Sequence, residues 1–466
     1  MEKTAGEKLR EQLFYTKKHV AELLSEAEIN EAFEFCKGYR RFLDYAKTER
    51  RAVSFTERLL KENGFVEFEA GKKYKAGDKV YKNNRGKAMI IAVIGEKPLS
   101  EGVKISAAHI DSPRLDLKQV PVYEDSEIAY FKTHYYGGIR KYQWPTVPLA
   151  LYGTVVRADG TSVEVAIGEG EDDPVFYVSD LLPHLANAYA KKPMAEAVDA
   201  ESLNLIVGSL PFKDDKVSEK VKLNLLNILF EKYGITEADF LSAELEAVPA
   251  LASKDVGFDR SLIGSYGHDD RVCAYPAIMA AVNCGKCDYT TVTVLADKEE
   301  IGSEGNTGLN SSFLKYFMGD LAAPHNLAAR EVLCKSECLS ADVNAAFDPN
   351  FPEVFEKKNA SFINYGVVVT KYTGARGKYD TSDASAEYTG KIRNLFDSNN
   401  VIWQSGELGR VDIGGGGTVA KYVAALDVDT IDVGVPVLSM HSPFEVVSKL
   451  DVYMAYKAFS TFLEQK

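Results

Sequence analysis

TVTVLAD (residues 291–297) lies between VCAYPAIMAAV (272–282) and SSFLKYFMG (311–319), and this alternation decides the fold class. The central stretch is β-branched and apolar up to Asp297, the pattern of a strand buried on both faces. Its neighbours carry apolar residues at helical spacing. The alternation continues downstream: INYGVVVTKY (363–372) reads as a strand, DASAEYTGKIRNLF (383–396) as a helix, and KLDVYMAYKAFSTFL (449–463) as a closing helix. Upstream, AMIIAVIG (88–95) and VKISAAHI (103–110) read as strands, and residues 5–64 read as helical. Strands alternating with helices predict an α/β layer with a mostly parallel sheet flanked by helices.

Between these parts the chain changes character. From Asp116 to about Ala252 it carries tight Gly and Pro signals (Gly137-Gly138, Trp144-Pro145) and β-branched runs such as GTVVRADGTSVEVAIG. That pattern predicts an inserted β-rich domain at 116–252, splitting an α/β domain into 1–115 and 253–466. At ~150 residues per domain, a chain of this length accommodates the division. The acidic stretch GEGEDDP (168–174) reads as a solvated turn, because it lacks calcium-loop spacing.

Composition narrows the function classes. The net charge of −13 argues against a nucleic-acid binder, which needs a basic face, and against docking on anionic lipid. Apolar runs are far shorter than the ~20 residues that span a bilayer. The leading MEKTAGEKLREQLF is charged and helical in pattern, so a cytoplasmic location is expected. The 6 cysteines suit a reducing compartment. Cys284 and Cys287 form a CxxC, but no second tight pair completes a zinc ribbon with Cys334 and Cys338.

The chemistry concentrates at strand ends. His109 closes VKISAAHID and His441 closes VGVPVLSMHSP. Acidic residues sit at similar points: Asp269-Asp270 in YGHDDR, Glu299-Glu300 in LADKEEIGS and Asp342 in LSADVN. Each alone has an ordinary structural reading: a hydrogen-bonded histidine, a solvated acidic face, or a helix cap. Together they are five strand-end segments of one α/β layer, each offering a metal-type ligand, and such sheets place their sites at strand carboxyl ends.

A charge count supports a pair of metals. With His109, Asp269, Glu300, Asp342 and His441 as ligands, three carboxylates and one hydroxide neutralise two divalent cations. If Asp269 bridges, each ion has three protein ligands plus a shared water, the open arrangement of catalytic zinc. Asp111, two residues beyond His109, shares its strand face and is expected to accept the spare ring N–H of His109. Glu299 diverges from its neighbour Glu300 and faces the water, as general base and acid.

SAAHIDSPRLD, GHDDR, DKEEIGS, SADVN and VPVLSMHSP, in this order, resemble the aspartyl aminopeptidase (aminopeptidase I) family of dinuclear zinc exopeptidases, from about Ser106 to Phe459. The resemblance implies a zinc-exopeptidase-like peptidase domain interrupted by a β-rich dimerisation domain. It implies His109, Asp269 and Asp342 on one zinc, and Asp269, Glu300 and His441 on the other. Glu299 and Asp111 match the catalytic glutamate and the HxD aspartate. It further implies peptide substrates, an acidic N-terminal residue among the options, and a homo-oligomer, a dodecamer built from dimers. Two Zn2+ are expected, with Co2+ or Mn2+ as substitutes. Lys371 matches a substrate-pocket lysine, and His184 resembles a stretch near a neighbouring subunit's site. This chain departs from many members in two places. No histidine follows Asp342 in ADVNAAFDPNF, and Gly414–Gly417 with Thr418 stand where a Cys-Gly-Ser-Thr stretch is common.

Residues of lesser signal have plainer readings. GGGGTVA (414–420) lacks nucleotide-binding spacing, so its glycines are expected to permit close approach of substrate or backbone. Lys371, Arg376 and Lys378 also read as solvated turn charges, and Asp270 as a cap for a helix starting near Arg271. Two rivals stay open at this point: a deacylase using the same ligands, and a non-catalytic scaffold.

Overall fold

The apolar stretch 103–110 becomes the strand Lys104–His109, buried along its whole length and hydrogen-bonded on both edges. The computed structural model describes residues 3–465. Around that strand runs a nine-stranded sheet. From one edge to the other it contains Val66–Glu67, Lys79–Asn84, Ala88–Val93, Thr291–Ala296, Lys104–His109, Glu337–Ser340, Asp429–Gly434, Val367–Thr370 and Trp403–Ser405. Five of its eight neighbouring pairs are parallel, so the sheet is mostly parallel.

The four central strands all run the same way. Ala296 pairs with His109, Ser340 with Ala107, and Asp432 with Ser340. Their carboxyl ends therefore reach one edge of the sheet, and the segments bearing His109, Glu299, Glu300 and Asp342 leave it there. Gly434 permits one of these exits, because a Cβ on it would stand 1.6 Å from the carbonyl oxygen of Asp342.

Alternation along each strand divides the core between two faces. Met89, Ile91 and Val93 join one apolar cluster, and Ile90 and Ala92 join the other. Helices Glu26–Tyr45, Glu49–Glu62, His268–Asn283, Ala386–Ser398 and Lys449–Leu463 cover the first face. Phe313–Ala322 and Ala420–Ala424 cover the second. No helix among the described residues is long and apolar enough to cross a membrane.

Two smaller sheets adjoin this layer. One is six-stranded and antiparallel, in the order Ser162–Ile167, Leu149–Val156, Ala243–Pro249, Arg114–Asp125, Ile128–Tyr136, Leu205–Gly208. It has an apolar cluster of its own, around Trp144, Phe131 and Phe240. The other is five-stranded and carries Pro436–Leu438 and Glu445–Ser448, the two strands that flank His441.

Local differences from the sequence reading have local causes. Residues 5–64 form four helices, Ala5–Leu13, Val20–Leu23, Glu26–Tyr45 and Glu49–Glu62. Side-chain caps start the later ones: Ser25 and Glu28 form a capping box, and Thr48 accepts the N–H of Arg51. The strand expected over 363–372 is confined to Val367–Thr370. Before it, the amides of Asn364 and Gly366 are taken by the carboxylate of Asp451.

Candidate metal centre

His109 is the last residue of its strand, so its ring stands at the carboxyl end of the central strands, buried. Its Nε2 lies 3.1 Å from Asp269 Oδ1, 3.9 Å from Asp342 Oδ1 and 3.9 Å from Glu299 Oε2. His441 arrives from the loop between two strands of the five-stranded sheet. Its Nε2 lies 3.0 Å from Asp269 Oδ2 and 3.4 Å from Glu300 Oε1. The two oxygens of Asp269 thus face two different histidines. Glu299 and Glu300 sit on a single turn after the strand Thr291–Ala296 and diverge: the first faces His109, the second His441.

Ligand atoms of Asp269, Glu300 and His441 fall within 4.8 Å of one another, as do those of His109, Asp270 and Asp342, and those of His109, Glu299 and Glu300. Asp270 belongs to this cluster as well. It is fully buried, and its non-helical backbone comes just before the regular helix that starts at Arg271, as expected. Its carboxylate turns back to the sheet, where Oδ2 accepts the N–H of His109 at 3.3 Å.

The imidazoles are held by their far nitrogens. Nδ1 of His441 donates to the carbonyl oxygen of Gly138 at 2.8 Å, and Nδ1 of His109 to the carbonyl oxygen of Asp111 at 3.1 Å. The Asp111 carboxylate, expected to take that ring proton, stands beside it at 3.3 Å and has further partners. It accepts the N–H of Glu299 at 3.1 Å, the N–H of Glu300 at 3.2 Å and the hydroxyl of Tyr136 at 2.8 Å. Asp111 therefore orients the turn that carries both glutamates as well as the strand end.

With each Nδ1 proton on a carbonyl, a neutral ring points a lone pair from Nε2 at a carboxylate oxygen about 3 Å away. Two lone pairs at that separation repel unless a cation or a proton lies between them. Asp269 Oδ1, Glu300 Oε1 and Asp270 Oδ1 are also buried without any hydrogen-bond partner, and such groups are costly to desolvate unless they bind something. Imidazole nitrogens and carboxylate oxygens form a donor set suited to zinc. The residues present fit a divalent cation site.

Electrostatics agrees. Burial, reinforced by Asp269, pushes the Glu300 carboxyl well above the usual range, and burial with Glu299 nearby does the same to Asp342. Burial also pushes Glu299 up to about 7. Burial opposes charge on His441, yet its bond to Asp269 raises it to about 11. Burial opposes charge on His109 as well, yet the carboxylates of Asp111 and Asp269 beside it raise it well above its ordinary value. Burial alone would raise Asp269, but the nearby His109 and His441 rings hold it below the usual carboxylate range. In the bare protein, protons held on these groups offset a local excess of negative charge.

Glu445 is a participant that the sequence reading missed. Fully buried, it accepts the N–H of His441 at 2.7 Å and the N–H of Asp269 at 3.1 Å. Burial, with Asp269 beside it, pushes its carboxyl up to about 8. Its available signal was an acidic residue four positions after His441, in a strand otherwise apolar. Tyr136, which the sequence reading did not single out, and the Gly137-Gly138 pair, read only as a tight turn signal, are likewise against the cluster.

The two residues expected at the substrate lie apart from these bonds. Lys371 is paired with Asp383 at 2.6 Å, and Lys378 shares that carboxylate at 2.9 Å. His184 is exposed on a loop following the strand Ser162–Ile167. Neither has a hydrogen bond or ion pair to the cluster among the described residues. The run Gly414–Gly417 packs against backbone: a Cβ on Gly414 would stand 2.0 Å from the carbonyl oxygen of Leu408, and one on Gly415 2.0 Å from that of Gly374.

Comparison with known proteins places this geometry in a family. A family model described as aminopeptidase I zinc metalloprotease (M18) matches residues 42–463. A probable M18 family aminopeptidase 1 from Clostridium acetobutylicum is 47% identical over 444 residues, covering 94% of this chain and 96% of the relative. The crystal structure of an M18-family aminopeptidase from Thermotoga maritima superposes with a TM-score of 0.93 at 43% identity, covering 97% of this chain and 100% of that one. That of aminopeptidase I from Clostridium acetobutylicum gives a TM-score of 0.92 at 45% identity, with 97% and 100% covered. Sequence and fold agree: the chain belongs to the aminopeptidase I zinc metalloprotease (M18) family and is an aminopeptidase, a hydrolase.

Proposed function

We propose that this aminopeptidase works with two zinc ions bridged by Asp269, one held also by His109 and Asp342, the other by Glu300 and His441. The observation that carries the reading is the placement of the two Asp269 oxygens, 3.1 Å and 3.0 Å from the Nε2 atoms of two different histidines. When bound, such a pair of ions supplies Lewis acidity and brings the pKa of a shared water to ~7. Co2+ or Mn2+ would substitute, since the donors are nitrogen and oxygen only.

Glu299 is the general base and acid. Its carboxyl is pushed up to about 7 by burial, which suits a group that both takes and gives a proton near neutral pH. It takes the proton of the attacking water and delivers it to the amine leaving from the first peptide bond. Asp111 keeps Glu299 in place through the backbone N–H of that residue.

Lys371 supports recognition of an acidic N-terminal side chain. Lys371 and Lys378 share the single carboxylate of Asp383, so this group of three retains one positive charge. His184 is assigned to the substrate site of a neighbouring copy. Residues 116–252 are assigned to an inserted domain that mediates dimers, from which a homo-oligomer, a dodecamer, is built. Exposed Leu181, Leu182, Leu185, Tyr189 and Met194 in that segment favour burial against another copy. Six free cysteines favour the cytoplasm.

The test is metal content measured alongside turnover of anilides of Asp, Leu and Lys and of N-acyl amino acids. Two zinc ions per chain with turnover of the aminoacyl anilides supports the proposal. Turnover confined to N-acyl amino acids would indicate a deacylase and overturn it.

A further inference from the structure

Three consecutive residues at the end of one strand of the six-stranded sheet touch three different residues of the cluster. The strand Ile128–Tyr136 ends on Tyr136, whose hydroxyl donates to Asp111 Oδ2 at 2.8 Å. Gly137 follows with φ +72°, and a Cβ there would stand 3.1 Å from Glu300 Oε2 and 3.2 Å from Glu300 Cβ. Gly138 follows in turn, and its carbonyl oxygen accepts Nδ1–H of His441 at 2.8 Å.

The anchoring of this strand end is rigid. The guanidinium of Arg114 lies 3.9 Å from the centroid of the Tyr136 ring. Arg114 is buried and held by Asp116 at 2.8 Å, Glu246 at 3.2 Å and Glu49 at 3.4 Å. A buried cation packed on an aromatic face and fixed by several carboxylates restricts the ring to one position. The Tyr136 hydroxyl is therefore delivered to Asp111 from outside the nine-stranded sheet.

We propose that Tyr136, Gly137 and Gly138 are positioning residues for the two ions: Tyr136 acts through Asp111 on His109 and on the Glu299–Glu300 turn, and Gly137-Gly138 act on the Glu300–His441 position alone. The inference rests on the two-zinc reading above. Asp111 lies against the ring of His109, takes the N–H of Glu299 on Oδ1, and takes the N–H of Glu300 on the same Oδ2 that accepts Tyr136, so loss of the Tyr136 donor loosens the carboxylate's hold on all three. The Gly138 carbonyl fixes the His441 ring with Nε2 toward Asp269, and the absent Cβ of Gly137 leaves room for Glu300. Partners of this kind alter metal affinity ~10–100-fold when removed.

The experiment titrates zinc, in competition with a chromophoric chelator, into metal-free full-length wild type, Tyr136→Phe and Gly137→Ala, and records the visible spectra of the cobalt forms. His109→Ala and His441→Ala mark which of the two dissociation constants belongs to which position. The expected result for Tyr136→Phe is a rise of ~10–100-fold in the constant marked by His109→Ala. The other constant should rise as well, because the N–H of Glu300 is held by the same Asp111 oxygen, and kcat should fall while KM is held. Gly137→Ala should raise the constant marked by His441→Ala and change the cobalt spectrum of that position. Both constants unchanged in both variants overturns the inference, as does an equal rise of both constants in Gly137→Ala with a lowered melting temperature. A wild type that binds fewer than two zinc ions instead overturns the two-zinc reading itself, a separate outcome read from the wild type alone.

Discussion

Glu445 accepts the backbone N–H of Asp269 at 3.1 Å, across 176 positions of sequence. Its other oxygen takes the N–H of His441 at 2.7 Å, so one buried carboxylate fixes the main chain at two proposed ligands. Both bonds use an acceptor oxygen, and a carboxamide has only one. Glu445→Gln should therefore leave one amide facing an NH2 group, at a cost of about 1–3 kcal/mol in stability. Zinc affinity should fall ~10–100-fold. Wild-type melting temperature and zinc affinity in the variant would contradict the role given to Glu445.

Glu299→Gln separates proton transfer from metal holding. The variant keeps the shape of the side chain and removes its basicity. Two zinc ions should remain bound, while kcat falls by ~10²–10⁴-fold. Elemental analysis and steady-state kinetics on one preparation decide it, and a variant turning over near the wild-type rate refutes the assignment.

Asp269→Asn tests the bridge. The carboxamide offers one oxygen in place of two and lacks the charge that faces both histidines. Zinc content should fall at both positions together, with activity lost. Retention of two ions per chain would show that His109 and His441 hold their ions without a shared carboxylate.

Asp432 gives a pH dependence remote from the proposed ligands. It is buried on the strand Asp429–Gly434, its Oδ1 has no hydrogen-bond partner, and burial pushes its carboxyl up to about 7. In the unfolded chain it titrates near its ordinary value of ~4. Between those two values the folded chain keeps a proton that the unfolded chain has released. The stability this group contributes is present below about pH 4 and lost as pH rises through about 7. Asp432→Asn removes the titration. The stability of wild type relative to the variant should drop by about 2 kcal/mol between pH 5 and pH 8, read from denaturant unfolding at each pH. A difference independent of pH would rule this out.

Much of the α/β layer was legible because burial on both faces leaves unbroken apolar runs. AMIIAVIG, VKISAAHI and TVTVLAD all became interior strands, paired on both sides. The division of residues 5–64 into four helices was written in Ser25, Glu28 and Thr48, a capping signal that periodicity alone does not report. Asp270 does stand before the helix starting at Arg271, as read, and only the fold shows its carboxylate turned to His109. Lys371 carries a charge the sequence displays, while its pairing with Asp383 depends on how the intervening loop closes.

The chain by itself determined which residue types end which strands, because strand and helix periods follow from nearest-neighbour geometry and from burial of one face or two. It thereby supplied His109, Asp269, Glu300, Asp342 and His441 as a set of ligand-type residues. Only the tertiary structure decided that the two oxygens of Asp269 face two histidines, that Glu445 ties two of these segments together, and that Tyr136 and Gly138 reach in from another sheet. Those contacts join residues distant in sequence. They depend on strand order and on packing spread over hundreds of side chains, and no local pattern encodes them.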